Sequence, residues 1–229
     1  MKALSLSFVL AGLLTIQAQA QTQTQSTSSQ QPLQQSQAPR GSFQQDSGRT
    51  DLKEFDHLDP RHIVPERPLR QALTYYKVNR ESFTNRDYIV VIDFTQPSSN
   101  ERLYVINMKT GEVDTHATSH GRGSDPKRVG RAQTFSNRNN SHASSLGFYR
   151  TAETYMGKHG YSLRLDGLSP TNSNARDRAV VVHAASYVRD NSRQMAGRSH
   201  GCPALDPRVL KTVVSKIKGG ALMYAWAGQ

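Results

Sequence analysis

Hydrophobic residues along this chain come in three rhythms. The first is a single apolar run, Leu4 to Ile16, preceded by Lys2 and closed by Ala18-Gln-Ala20. A basic start, a short apolar stretch and small residues in an A-x-A arrangement form the pattern of a cleaved export signal, here residues 1–20. The run is too short to cross a hydrocarbon core of about 30 Å, which takes roughly 20 apolar residues as a helix. In the second rhythm apolar residues are sparse. Gln and Ser dominate from Gln21 to about Gln45, and prolines punctuate residues 51–67. Such sequence buries too little apolar surface to offset the entropy of ordering, so residues 21–67 are predicted to be a disordered Gln/Ser/Pro-rich linker. The third rhythm starts near Pro68 and predicts one folded domain over residues 68–229.

Within that domain the period changes twice. Leu69, Ala72, Leu73 and Tyr76 recur at helical spacing and predict a short amphipathic helix. From Asp87 the pattern is that of strands: "DYIVVIDFT", then "ERLYVINM" after the turn residues "QPSSN", then "EVDTHAT" after Lys109-Thr-Gly111. β-Branched and aromatic runs separated by tight turns predict an antiparallel meander. "LGFYRTAE", "GYSLRLDG", "RAVVVHAA" and "ALMYAW" are further strands. Near the end, Val209, Leu210, Val213, Val214 and Ile217 form a second helical stripe, with Asp206 as N-cap, Pro207 at the first helical position and Gly219-Gly220 as the stop. The domain is therefore expected to be mainly β with one or two short helices. A long polar stretch rich in Gly, Ser, Arg and Asn separates His116 from Ser145, and a loop of that length in a compact domain is more often functional than idle.

Charge and cysteine count narrow the chemistry. A formal net charge of +11 calls for an acidic partner. No helix-turn-helix, zinc-finger or RNP signature points to nucleic acid. An exported chain meets anionic wall polymer instead, so the expected location is the periplasm or cell envelope. The chain is expected to be a monomer without a transmembrane segment. Cys202 is the only cysteine, which excludes an internal disulfide and leaves a reactive thiol, an intermolecular bond or a buried structural residue.

The neighbours of Cys202 favour a reactive thiol. A cysteine nucleophile needs a base and donors for an oxyanion. His183 ends the apolar run "AVVVH", which places it at the mouth of a strand, 19 positions before Cys202. Gly201 allows close backbone approach, so the N–H groups of His200, Gly201 and Cys202 are candidates to converge on an oxyanion. The positive end of the helix expected from Asp206 is a candidate to lower the thiol pKa. His116 and His120 in "HATSH" are four apart, but the surrounding Thr, Ser and Gly argue against the helix that would make them a metal pair, and no metal or cofactor is expected.

His183, fifteen intervening residues and then Ser199-His200-Gly201-Cys202 resembles the signature of the YkuD-type L,D-transpeptidases, and "GRSHGCPAL" resembles the murein L,D-transpeptidase branch that carries GCPAL. The likeness runs through "IDFTQPSSNERLYVINMKTGEV", "TFSN", "SSLGFYRTAETY" and "DRAVVVHAA", covering nearly all of residues 70 to 226. It implies a YkuD-like fold, a β-sandwich or barrel-like sheet. It implies attack by Cys202 on the bond between diaminopimelate and terminal D-alanine in a peptidoglycan tetrapeptide stem. His183 is then the base, oriented by the Ala184 backbone carbonyl, and Ser199, His200, Gly201 and Arg198 are the oxyanion or substrate-binding residues. The thioester would pass to an amine of a second stem or of a lipoprotein. Water as acceptor would make the protein an L,D-carboxypeptidase, and a non-catalytic wall-binding protein is the remaining alternative. Pro203-Ala204 stands where the commoner branch carries an apolar residue and Arg or Asn. Arg198, Arg208 and Arg193 are the candidates to supply that charge. Amidases of the NlpC/P60 and CHAP types place Cys before His, and sortases carry a Thr-Leu-x-Thr-Cys run that is absent here.

Overall fold

A computed structural model describes residues 50–228. The expected export signal and residues 21–49 of the expected linker lie outside the described residues. The remainder of that linker is ordered, which corrects the expected domain start at residue 68. Lys53–Phe55 form a 3-10 turn, and Phe55, Leu58 and Val64 are buried against Tyr76 and Phe83. The Asp59 carboxylate accepts the N–H groups of Ile63 and Val64 at 2.9 and 2.8 Å. Three well-spaced apolar residues and one carboxylate therefore hold a segment whose prolines suggested looseness.

Helix α1 (Glu66–Val78) buries Ala72, Leu73 and Tyr76, the predicted stripe. Pro68 is tolerated because it sits in the first turn, where its missing N–H has no partner to lose. The strands are β1 (Tyr88–Asp93), β2 (Glu101–Asn107), β3 (Val113–Ala117), β4 (His120–Gly121), β5 (Gly147–Gly157), β6 (Gly160–Gly167), β7 (Val181–Ala184), β8 (Arg198–Ser199), β9 (Ala204–Leu205) and β10 (Leu222–Trp226), with helix α2 (Leu210–Ile217) before the last. Helix α2 starts later than the expected Asp206. Asp206 nonetheless makes the bonds of the expected N-cap: its carboxylate accepts the Arg208 N–H (2.8 Å) and its backbone carbonyl the Leu210 N–H (3.1 Å), while the Asp190 N–H adds a third bond at 3.1 Å across residues 206–209 ahead of the regular helix.

Eight strands form one sheet in the order β3-β2-β1-β10-β5-β6-β7-β9, and β4 pairs with β8 separately. The predicted meander β1-β2-β3 is antiparallel, while β1–β10 and β7–β9 are parallel. The two edges nearly meet. Just past β3, Ser119 N–H donates to the Ala204 carbonyl on β9 at 3.2 Å, and Thr118 Oγ1 donates to the same carbonyl at 3.0 Å. The Ala204 N–H returns a bond to Ser119 Oγ at 3.2 Å. The sheet is thus curled almost into a barrel, the fold expected from the sequence.

Strand β1 shows how both faces are filled. Val90 and Ile92 point to an interior shared with Leu163, Val182, Leu205 and the α2 residues Val213, Val214 and Ile217. Ile89 and Val91 point outward, where α1 and the 52–64 segment cover them. The period of two along β1 separates the two cores, and at about 25 cal/mol per Å² of apolar surface their burial is the main stabilising term. No helix among the described residues is long and apolar enough to cross a membrane.

Candidate active site

Strand β7 presents His183 at its C-terminal end, with only 4% of its surface exposed. Its Nδ1–H donates to the backbone carbonyl of Ala184 at 2.9 Å. That bond assigns the proton to Nδ1 and leaves Nε2 as an acceptor, the tautomer a general base requires. Burial pushes the imidazole pKa below its ordinary value, the Ala184 bond opposes this, and the neighbouring His159 lowers it further. His159 stacks on His183 with ring centroids 4.5 Å apart.

The register of β7 with β9 sets His183 opposite Ala204, so Cys202 enters the same region two residues before the pairing begins. The Cys202 thiol is partly buried and donates to the carbonyl of Ala179 at 3.6 Å. Ala179 adopts a positive φ of 52°, a conformation that costs an ordinary residue about 1 kcal/mol or more. Burial raises the thiol pKa, against which the Val181 N–H and the charges of Arg178 and Lys158 act. Thiol and imidazole are therefore both pushed toward their neutral forms, and the cations pull the thiol back. The depression expected from the second helix is not what governs the sulfur.

The turn that carries the thiol is held from several sides. Ser199 Oγ donates to the Cys202 carbonyl at 2.7 Å and accepts the Gly201 N–H at 3.0 Å. Ser119 Oγ also reaches the Cys202 carbonyl, at 3.3 Å, and Ser144 Oγ donates to the Gly201 carbonyl at 3.2 Å. Gly201 has φ +120°, and a Cβ there would stand 2.7 Å from the Ala143 carbonyl oxygen. Only glycine fits.

A family model, the YkuD_2 L,D-transpeptidase catalytic domain, matches residues 61–226. The chain belongs to this family. Among solved structures, this L,D-transpeptidase domain is similar to Mycobacterium tuberculosis L,D-transpeptidase 1, at 17% identity over 62% of each chain with a TM-score of 0.34. It is similar to an L,D-transpeptidase from Mycobacterium smegmatis, at 17% identity over 62% of this chain and 59% of that one, TM-score 0.38. It is also similar to the helical cell shape determining protein Pgp2 from Campylobacter jejuni, at 12% identity over 64% of this chain and 50% of that one, TM-score 0.38. The chain thus spans between about half and three-fifths of the length of these structures. No curated protein matches it.

The L,D-transpeptidase domain distributes the expected site residues unevenly. Ser199, Gly201 and Cys202 share one turn, and His183 and Ala184 pair with Ala204 and Leu205 directly after it. The Gly201 N–H is committed to Ser199, so it does not join an oxyanion hole as expected, and Ser199 shapes the turn. His200 is exposed and stacks on His142 with centroids 4.3 Å apart. Arg198 is engaged elsewhere, donating from Nη1 to the carbonyls of Asp125 and, at 3.5 Å, Arg122. Arg208 pairs with Asp206. The arginine beside the thiol is instead Arg178, whose Nη2 lies 3.3 Å from where a Gly201 Cβ would stand. Its guanidinium donates to the Ser136 carbonyl (2.7 Å), Ser145 Oγ (3.2 Å), Ser141 Oγ (3.3 Å) and the Ala143 carbonyl (2.5 Å). All four acceptors are neutral, and no ion pair holds Arg178 among the described residues. Nothing in its sequence position, just before the strand that ends in His183, singles it out.

A second network lies beneath. Arg102 and His120 are fully buried, and Arg102 Nη2 donates to His120 Nδ1 at 2.8 Å. The other ring nitrogen, Nε2–H, faces Asp125 Oδ2 at 3.4 Å. Burial and the Arg102 charge lower the His120 pKa to about 4. His120 pairs with Arg198, and Gly121 with Ser199, so this network fixes the strand leading into the thiol turn. Neither partner of His120 was read from the sequence, because Arg102 and Asp125 lie on different elements. His116, the other half of "HATSH", bonds Asp190 at 2.7 Å. Among the described residues no group of three His, Cys, Asp or Glu is placed to hold a metal.

Proposed function

We propose that this protein is a cysteine-dependent L,D-transpeptidase acting on peptidoglycan tetrapeptide stems in the cell envelope, to which its N-terminal residues direct it. The observation that carries the reading is the Nδ1–H bond from His183 to the Ala184 carbonyl, which leaves Nε2 unprotonated near Cys202. Family membership supplies the reaction class.

In the proposed reaction, His183 Nε2 takes the Cys202 proton as the sulfur attacks the diaminopimelate carbonyl. Because burial favours the neutral form of both groups, transfer accompanies attack and no stable ion pair precedes it. The tetrahedral intermediate collapses as the imidazolium returns the proton to the departing D-alanine nitrogen. The thioester keeps the free energy of the cleaved peptide bond, so no nucleotide is needed. An amine of a second stem then attacks, its proton passes to His183, and the thiolate leaves.

The test is product analysis on disaccharide-tetrapeptide. D-Alanine release with a crosslinked dimer is expected from the wild type, along with a covalent adduct on Cys202 after meropenem. Release without any dimer, even with excess amine, would replace transfer by hydrolysis. Full activity in Cys202→Ala would overturn the mechanism.

A further inference from the structure

The hairpin joining β5 to β6 turns within two residues. Gly157 pairs with Gly160, and Lys158 and His159 form the tip. Lys158 and His159 keep negative φ and Gly160 takes φ +74°, the arrangement of a type I turn closed by a left-handed glycine bulge. Most hairpin tips end in solvent with nothing to fix their direction. This one is placed by the stack of His159 on His183 at 4.5 Å. The tip is thereby held over the thiol turn, and the charge of Lys158 acts on both Cys202 and His200.

The charges that act most on the sulfur are positive. Arg122 and Lys158 both act on His200, and Arg178 and Lys158 lower the Cys202 pKa. Like charges brought together repel one another, and an anionic ligand relieves that repulsion. The cations differ in what they have left to offer. All four Nη bonds of Arg178 go to loop acceptors. Burial and neighbouring positive charge hold the His200 pKa below its ordinary value, which disfavours its cationic form. Lys158 is exposed, and no ion pair or hydrogen bond engages its ammonium among the described residues.

The chemistry of the donor stem supplies a matching anion. When the last peptide bond of a chain is attacked, the free carboxylate of the leaving residue lies within about 4 Å of the attacked carbonyl carbon, three bonds away. A cation positioned by the nucleophile is therefore where a chain end would be read. We propose that Lys158 binds the terminal carboxylate of the donor stem and so restricts the site to peptides ending one residue beyond the attacked carbonyl. This rests on the transpeptidase reading above. The histidine stack serves to aim the lysine.

The experiment compares a tetrapeptide stem ending in free D-alanine with the same stem ending in D-alaninamide. Wild type is expected to favour the free acid by about tenfold, through KM, as a charge-assisted hydrogen bond predicts. Lys158→Gln should abolish the preference for the acid, the change in thiol electrostatics acting on both peptides alike, and Lys158→Arg should keep the preference. An acid-to-amide ratio unaltered in Lys158→Gln, or an equal loss on both, would overturn the assignment. Titration of both peptides into Cys202→Ala, with and without Lys158→Gln, separates this from the reaction itself. If wild type turns over neither peptide, the transpeptidase reading fails. The carboxylate assignment then stands or falls on whether Lys158→Gln abolishes tighter binding of the acid.

Discussion

His120 and His183 are both closed off from solvent, and burial pushes both imidazoles below their ordinary pKa. What surrounds them differs. Arg102 and Asp125 engage both ring nitrogens of His120, so its tautomer is fixed and nothing remains to react. At His183 only Nδ1 is engaged, and no hydrogen bond reaches Nε2 among the described residues. A buried imidazole with both nitrogens satisfied is a strut, and one with a nitrogen in reserve can move a proton. The two are connected, because the strut fixes β4, which pairs with the strand leading into Cys202.

Exchanging roles between these histidines would break the comparison most severely. His183→Gln should lower kcat/KM by about 10²–10⁴-fold, as removal of a general base does, while the thermal unfolding temperature stays close to wild type. A large stability loss with little effect on turnover would put His183 in the same class as His120. The reverse is expected at the strut. His120 is neutral in the folded protein down to about pH 4, whereas an unfolded histidine takes up its proton near 6.5. Between those values only the unfolded state binds the proton. Stability is therefore present above about pH 6.5 and is lost as pH falls toward 4, by about 3 kcal/mol in all. Denaturant titrations between pH 4 and 7 should show that slope, and His120→Gln should flatten it.

Smaller changes sharpen the electrostatic side. Arg178→Gln should move the midpoint of Cys202 alkylation up by about one pH unit, since an opposite charge a few ångströms away shifts a pKa by that order. Arg178→Lys should move it much less. An unmoved midpoint would mean that Arg178 serves only as an anchor for residues 136–145. Ser144→Ala, which removes the bond to the Gly201 carbonyl, should cost about 1 kcal/mol of stability and change turnover only a few-fold.

Much of the fold was legible because its signals are local. Alternation predicted the long strands, and helical spacing predicted both amphipathic stripes. The ordering of residues 50–67 was missed because Phe55, Leu58 and Val64 are too widely spaced to show a period, and prolines outweighed them. The capping bonds of Asp206 to Arg208 and Leu210 were legible because they are local, whereas its bond from the Asp190 N–H depends on where residue 190 lies. At the site, Cys202 and His183 stood out through their spacing and a solitary thiol. Arg178 did not, because an arginine on the approach to a strand looks the same whether or not a thiol packs against it.

The sequence alone determined that this chain builds a mainly β domain with a cysteine and a histidine at strand ends, since periodicity and short motifs are properties of neighbouring residues. Only the tertiary structure decided which arginine faces the sulfur, which histidine keeps a nitrogen free, and which lysine overhangs the turn. Each of those depends on groups far apart in the chain, brought together when the sheet curls and its edges meet at Ser119 and Ala204. Charge and burial act through space, and spacing along the chain does not encode them.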